Sequence, residues 1–261
     1  MTTSVQHYLT PLGVAVYDAM YQGSLNGDGA FYVGCAQEAG GPVLEFGAGT
    51  GRISRILAAA GCEVTAVDLS PQMLAAARVN AADDAARGRI TWLEGDMRSL
   101  DLGRTFGSVI VPARSFMHLL TPDAQRRALE VFRTHLAPGG RLVLDLFDPD
   151  LEMLVAPLQP EKELLHAKHP LTEARYRRTV TDRTIDPEHQ IIHETITVEE
   201  LGPEDQVLAA EDASWRLRWS VRQEIAYLLE LTGFRAVAEY GDFDRGPPGY
   251  AREQLWLAEA V

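Results

Sequence analysis

From Pro42 onward, short apolar runs alternate with stretches in which apolar residues recur at helical spacing. The run PVLEF (42–46) leads into the glycine turn GAGTG. It is followed by RISRILAAAG, where Ile53, Ile56, Leu57 and Ala60 share a face and Gly61 stops the helix. VTAVD (64–68) reads as a second strand. Ser70 then supplies an N-cap, and Pro71 a first-turn proline, for a helix through about Ala86. ITWLEGD (90–96) and GSVIVP (107–112) read as the third and fourth strands. Thr121-Pro122 opens a helix with Leu129, Phe132 and Leu136 on one face, and Pro138-Gly139-Gly140 turns the chain into a fifth strand, RLVLDLF. Strands alternating with helices of these lengths place the chain in the α/β class, with a mostly parallel sheet and helices on both faces.

After Asp148-Pro149 the period falls to two. RYRRTVTDRTI (175–185), QIIHETITVEE (190–200) and ASWRLRWS (213–220) alternate polar and apolar residues, and turn-rich DPEH and LGPED join them as antiparallel hairpins. The αβ pattern resumes at Ser220. Ser220 and Gln223 fit a capping box, Gly233 closes the helix, and FRAVAEY and EQLWLAEA bring the core strands to seven. The chain therefore divides into an N-terminal helical segment (1–41), a core (42–147 and 220–261) and an antiparallel β insert (148–219).

The 261 residues are 46% apolar and 23% charged, which suits one large domain or a domain with an insert. No apolar run approaches the ~18 residues of a membrane span. The start, MTTSVQHYLT, lacks the basic flank and apolar core of a secretion signal. Two cysteines, Cys35 and Cys62, make no disulfide framework. A soluble, cytoplasmic protein is the expectation, with no membrane partner. The formal charge of −13 disfavours general nucleic-acid binding. His166, His169, His189 and His193 show no consistent ligand spacing, and no metal site is expected.

The sharpest chemical feature is Glu45-Phe46-Gly47-Ala48-Gly49-Thr50-Gly51, between the first strand and the first helix. In a doubly wound sheet such a loop lies at the strand ends, where ligands bind. A dinucleotide fingerprint needs G-x-G-x-x-G, but Arg52 stands at the sixth position from Gly47. The motif is G-x-G-x-G, preceded by an acid. A carboxylate there repels a pyrophosphate and suits a ligand ammonium.

This segment resembles the first motif of the class I S-adenosylmethionine-dependent methyltransferases, E/D-x-G-x-G-x-G. The resemblance covers 42–147 well and 220–261 loosely. It is nearest to small-molecule N-methyltransferases of the glycine and amino-sugar type, which also carry a stranded insert after the fifth strand. It implies a Rossmann-like fold, S-adenosyl-L-methionine as cofactor, and Glu45, Gly47, Gly49 and Gly51 as cofactor-binding residues. Asp68, ending the second strand, can accept both ribose hydroxyls. Val67, Leu69 and Met73 could touch the adenosine, although such residues also fit the core. The resemblance assigns the adenine amino group to Asp96 and the ring edge to the backbone of Met97. Tyr17 and Tyr21, four apart in VYDAMY, match a helix used as a cover over the cofactor, although that spacing also fits plain packing.

On the acceptor side, the fourth strand runs into Pro112-Ala113-Arg114-Ser115-Phe116-Met117-His118-Leu119, without the Asn/Asp-Pro-Pro-aromatic motif of nucleobase-amine enzymes. It resembles the small-amine enzymes, in which a histidine faces the acceptor. His118 is thus the candidate base, and packing is the alternative. Arg114 could bind an anionic group of the acceptor or make a surface salt bridge. Tyr176, Arg216 and Trp219 in the insert could line the acceptor cleft, which the insert would cover. The expected activity is methyl transfer to a small molecule, N more than O. A non-catalytic sensor, a protein-substrate enzyme and a Rossmann oxidoreductase are the competing readings, the last opposed by Arg52 and Glu45. The reading leaves room for a homodimer.

Overall fold

The computed structural model describes residues 10–23, 25–82, 87–159, 164–169 and 172–261. The expected parallel strands form β1 (Val43–Phe46), β2 (Val64–Asp68), β3 (Ile90–Glu94), β4 (Phe106–Val111) and β5 (Leu136–Phe147). Two later strands, β10 (Phe234–Tyr240) and β11 (Glu253–Ala260), complete a sheet of order β10-β11-β5-β4-β1-β2-β3 among the described residues. Only β11 runs antiparallel, paired with both β5 and β10.

Alternation along the strands sends side chains to opposite faces. Leu44, Phe46, Val109, Leu142 and Leu144 meet Leu129 and Phe132 of α5 (Pro122–Thr134) and Ile225 and Leu229 of α7 (Arg222–Leu231). Val43, Ala66, Ile110, Val143 and Leu255 face Phe31 and Tyr32 of α2 (Asp28–Ala39) and Leu57 of α3 (Arg52–Ala59). Both faces are covered, as an α/β sheet requires.

The cap signals act largely as their residue types dictate. Ser70 Oγ accepts from the Met73 N–H at 3.2 Å at the start of α4 (Pro71–Asn80), and Thr121 Oγ1 accepts from Ala124 at 3.1 Å. The helix from Pro71 ends at Asn80, and residues 83–86 of the expected helix lie outside the described residues. The capping box at Ser220 does not form. α7 starts one residue later on Val221, because Ser220 Oγ accepts instead from the buried guanidinium of Arg218 at 2.9 Å. Leu136 belongs to β5 rather than to the helix before it.

The second sheet runs β6 (Leu164–Lys168), β7 (Arg175–Asp186), β8 (Ile191–Leu201), β9 (Val207–Arg218), all antiparallel. Its edge strand β6 and the short α6 (Leu151–Val155) carry no periodic signal long enough to read from sequence. Tyr176, Val180, Ile196 and Val198 pack on Val16 of α1 (Pro11–Met20), so the N-terminal helix buries its apolar side on this sheet. Arg218, 5% exposed, ties the sheet back to the core through Gln125 of α5 (3.0 Å), Gln190 (2.6 Å) and Glu224 of α7 (2.5 Å). Among the described residues, no helix is long and apolar enough to cross a membrane.

Candidate functional site

The glycine loop is docked on the second strand. The N–H groups of Gly47 and Ala48 donate to the Val67 carbonyl at 2.8 and 3.0 Å. Gly47 has φ +74°, and a Cβ there would stand 2.3 Å from Ser115 Oγ. At Gly51, with φ +83°, a Cβ would stand 2.6 Å from the Trp92 ring. Both positions exclude an L side chain through the protein's own packing as well as backbone conformation. A Cβ on Gly49 would meet the Tyr17 ring first, at 3.7 Å.

The three acids expected to bind the cofactor are each in a different state. Glu45 is 1% exposed; its Oε2 accepts from Ser54 Oγ of α3 at 2.5 Å, and its Oε1 is buried with no hydrogen bond among the described residues. Burial pushes its carboxyl up to about 8, against the smaller effects of the Ser54 bond and the Arg52 charge. Asp68 Oδ2 accepts from the Gly49 N–H at 2.7 Å and its Oδ1 from the Ser70 N–H at 2.8 Å. Each oxygen keeps a further lone pair for a ligand hydroxyl. Burial raises Asp68 while those backbone bonds pull it down. Asp96 is different: Arg98 Nε bonds both of its oxygens, at 2.9 and 3.0 Å, and holds its carboxyl below the usual range. An adenine amino group would have to share that carboxylate with Arg98. Leu69 is 45% exposed beside Asp68, and Met97 packs against the core.

Helix α1 closes over the loop from above. Tyr17 lies against Gly49, its ring centroid 4.7 Å from that of Tyr21, the residue that caps the helix. Beside them Asp18, 4% exposed, accepts from Gln22 (2.7 Å), Asn80 of α4 (2.9 Å) and His169 Nε2 (3.0 Å). Asn80 also donates to the Thr50 carbonyl in the glycine loop at 3.2 Å. This knot joins the N-terminal helix, the loop and the second sheet. No local sequence pattern announces it, because Asp18 and His169 are 151 residues apart.

Beyond β4 the chain takes two consecutive left-handed residues, Ala113 (φ +51°) and Arg114 (φ +64°), and then a single 3₁₀ turn over Ser115–His118. The His118 ring donates to the Arg216 carbonyl of β9, and burial pushes its imidazole down to about 4. It is therefore neutral near pH 7 and a weaker proton acceptor than a solvated histidine. The guanidinium of Arg114 is committed within the protein. It bonds Glu253 Oε1 at 2.8 Å and stacks 4.8 Å over the Phe147 ring, because β11 begins opposite the end of β5. Of the two roles the sequence allowed for Arg114, the structure shows the salt bridge. Tyr176 is 7% exposed and buried in the apolar contact with α1, so it does not line an open cleft in this structure. Trp219 does line one, of about 240 Å³, with Asp148, Leu151, Val221 and Tyr250. That cleft opens where the second sheet leaves and rejoins the core, one side of it formed by the residues immediately after β5.

Residues 43–140 match the family described as methyltransferase domain. Carboxy-S-adenosyl-L-methionine synthase of Chromohalobacter salexigens is 29% identical over 59% of this chain and 61% of its own. The dTDP-3-amino-3,6-dideoxy-alpha-D-glucopyranose N,N-dimethyltransferase of Streptomyces fradiae is 35% identical over 40% of this chain and 38% of its own. Matched segments span between 37% and 61% of the curated relatives' length. The solved CcbJ methyltransferase of Streptomyces caelestis superposes with a TM-score of 0.72 at 22% identity, covering 98% of each chain, which establishes likeness of fold along the whole length. The docked glycine loop and the strand order with its one antiparallel member agree with that match: residues 43–140 are similar to the methyltransferase domain family, and the chain has a Rossmann-like fold.

Proposed function

We propose that the chain transfers a methyl group from S-adenosyl-L-methionine to an amine of a small molecule. The observation that carries this reading is Asp68. Two backbone N–H groups hold its carboxylate beside Gly49, leaving lone pairs for a ribose diol. Glu45 fits the same ligand. Its Oε1 is a buried polar atom lacking a partner among the described residues, which an amino-acid ammonium would satisfy. The amino-sugar relative supports an amine acceptor.

The cofactor would supply an electrophilic methyl on a sulfonium, displaced in line by the acceptor's lone pair. What remains for the chain is alignment and exclusion of water. Asp68 and the glycine loop would fix the nucleoside, and Glu45 the amino-acid end. Tyr17 and α1 would close the loop from solvent. His118 would orient the acceptor rather than take its proton, because an imidazole held at about 4 binds a proton poorly near neutrality. The amine would then have to reach the site as its free base. The second sheet, tethered to the core by Arg218, would cover the acceptor side.

Titration calorimetry with S-adenosylhomocysteine and with NAD tests the cofactor, and a panel of dTDP-amino sugars and amino acids, read by mass spectrometry, tests the acceptor. Binding of S-adenosylhomocysteine without NAD, and a methylated amine product, is the expected result. Tight NAD binding with no response to S-adenosylhomocysteine would overturn the reading.

A further inference from the structure

The segment that leads from β4 to His118 is held by one carboxyl oxygen. Asp145, near the end of β5 and 3% exposed, accepts at Oδ2 from the Tyr32 hydroxyl of α2 at 2.6 Å and from the Ala113 N–H at 2.9 Å. Ala113 is the first of the two left-handed non-glycine residues, each of which costs on the order of 1 kcal/mol. Such a conformation persists only where its surroundings impose it. Here a buried acceptor on the neighbouring strand fixes the N–H at the point of strain.

The course of the chain from Arg114 to His118 depends on that fixed direction. Ser115 folds back, its Oγ donating to the Pro112 carbonyl at 2.8 Å, and fills the space above Gly47. Three residues on, His118 meets the Arg216 carbonyl. A second carboxyl braces the other flank. Glu253 lies on the same face of the sheet, since Leu255 pairs with Asp145 and Glu253 with Phe147. Its Oε1 takes Arg114, while its Oε2 is buried without a hydrogen bond among the described residues. Burial and this neighbouring charge push Asp145 up to about 7.

We propose that Asp145, backed by Tyr32, is a positioning residue that holds residues 112–118 in the one conformation that presents His118 to the acceptor side and seats Ser115 on the glycine loop. Its importance for turnover rests on the methyl-transfer reading; its grip on the segment does not.

The test compares Asp145→Ala with Asp145→Asn by hydrogen exchange, alongside calorimetry with S-adenosylhomocysteine. An asparagine Oδ1 has two lone pairs at nearly the same place, so it keeps both bonds without the charge; alanine keeps neither. In Asp145→Ala, exchange of the peptide covering 112–118 should rise at least ~10-fold, while the β11 peptide over 255–260 stays within about twofold. Asp145→Asn should restore the protection. Unchanged exchange in the alanine variant, an equal rise along β11, or failure of asparagine to restore protection would each overturn the proposal. If the alanine variant does not fold, Tyr32→Phe takes its place. A rise confined to 112–118 then supports the pair, and no rise overturns it. Absence of S-adenosylhomocysteine binding in the unmodified protein would sink the methyl-transfer reading and leave the exchange result standing.

Discussion

Glu45 should make cofactor binding a proton-releasing event. In the free protein its carboxyl is buried beneath the glycine loop with one donor, Ser54, and is pushed up to about 8. At pH 7 it is therefore about 90% protonated. The fold favours the uncharged acid, so the free protein loses stability as pH rises from the ordinary value of 4.5 toward 8. A ligand ammonium reverses that preference by giving the carboxylate a charged partner, which lowers its pKa. If the bound value falls below about 6, roughly 0.8 to 0.9 proton leaves per site at pH 7, and affinity rises with pH by up to about tenfold per unit until the free carboxyl ionises. Calorimetry with S-adenosylhomocysteine in buffers of different ionisation enthalpy reads this number as a slope. Glu45→Gln should bind more weakly and with a slope much reduced. A buffer-independent heat in the unmodified protein at pH 7 would refute the reasoning, because Glu45 would then either be ionised already or not meet the ammonium.

Gly47→Ala should cost about 2–4 kcal/mol in urea denaturation, from the left-handed backbone and the displaced Ser115 bond; adding Ser115→Gly should return part of it, and strictly additive losses would count against the contact. Arg218→Ala leaves Glu224 and Gln125 without their buried partner and should cost about 3–5 kcal/mol; a loss under about 1 would mean the tether is dispensable. Arg114→Gln removes a half-exposed pair and should shift stability by no more than about 1 kcal/mol, with KM for anionic and neutral acceptors changed alike. A selective rise for anionic acceptors would return the guanidinium to the substrate. Because burial keeps His118 neutral, the kcat profile should show no limb from it between about pH 5 and pH 8; a limb near 6.5 that His118→Asn removes would restore it as the base.

Much of the core was legible in the sequence because each element carries its own signal within a few residues. Apolar runs, glycine turns and Ser or Thr before Pro act locally, so β1 to β4 and the caps at Ser70 and Thr121 appear where expected, while β5 starts earlier, at Leu136, through the expected Pro138-Gly139-Gly140 turn. The acid-led glycine motif was legible for the same reason, since it is contiguous and its spacing departs from a dinucleotide fingerprint. Partner choice is not local. Ser220 has the sequence of a cap, yet its hydroxyl joins the buried cluster around the Arg218 guanidinium with Gln125, Gln190 and Glu224 instead. Arg114 and His118 stand out in the sequence as polar interruptions of an apolar segment. Only the pairing of β11 with β5 set Glu253 beside the arginine, and only tertiary packing buried the histidine and lowered its basicity, against the opposing bond to the Arg216 carbonyl. Asp145 sits inside RLVLDLF as one polar residue in a strand. That it grips Ala113 comes from adjacency of strands distant in the chain, which no local pattern encodes.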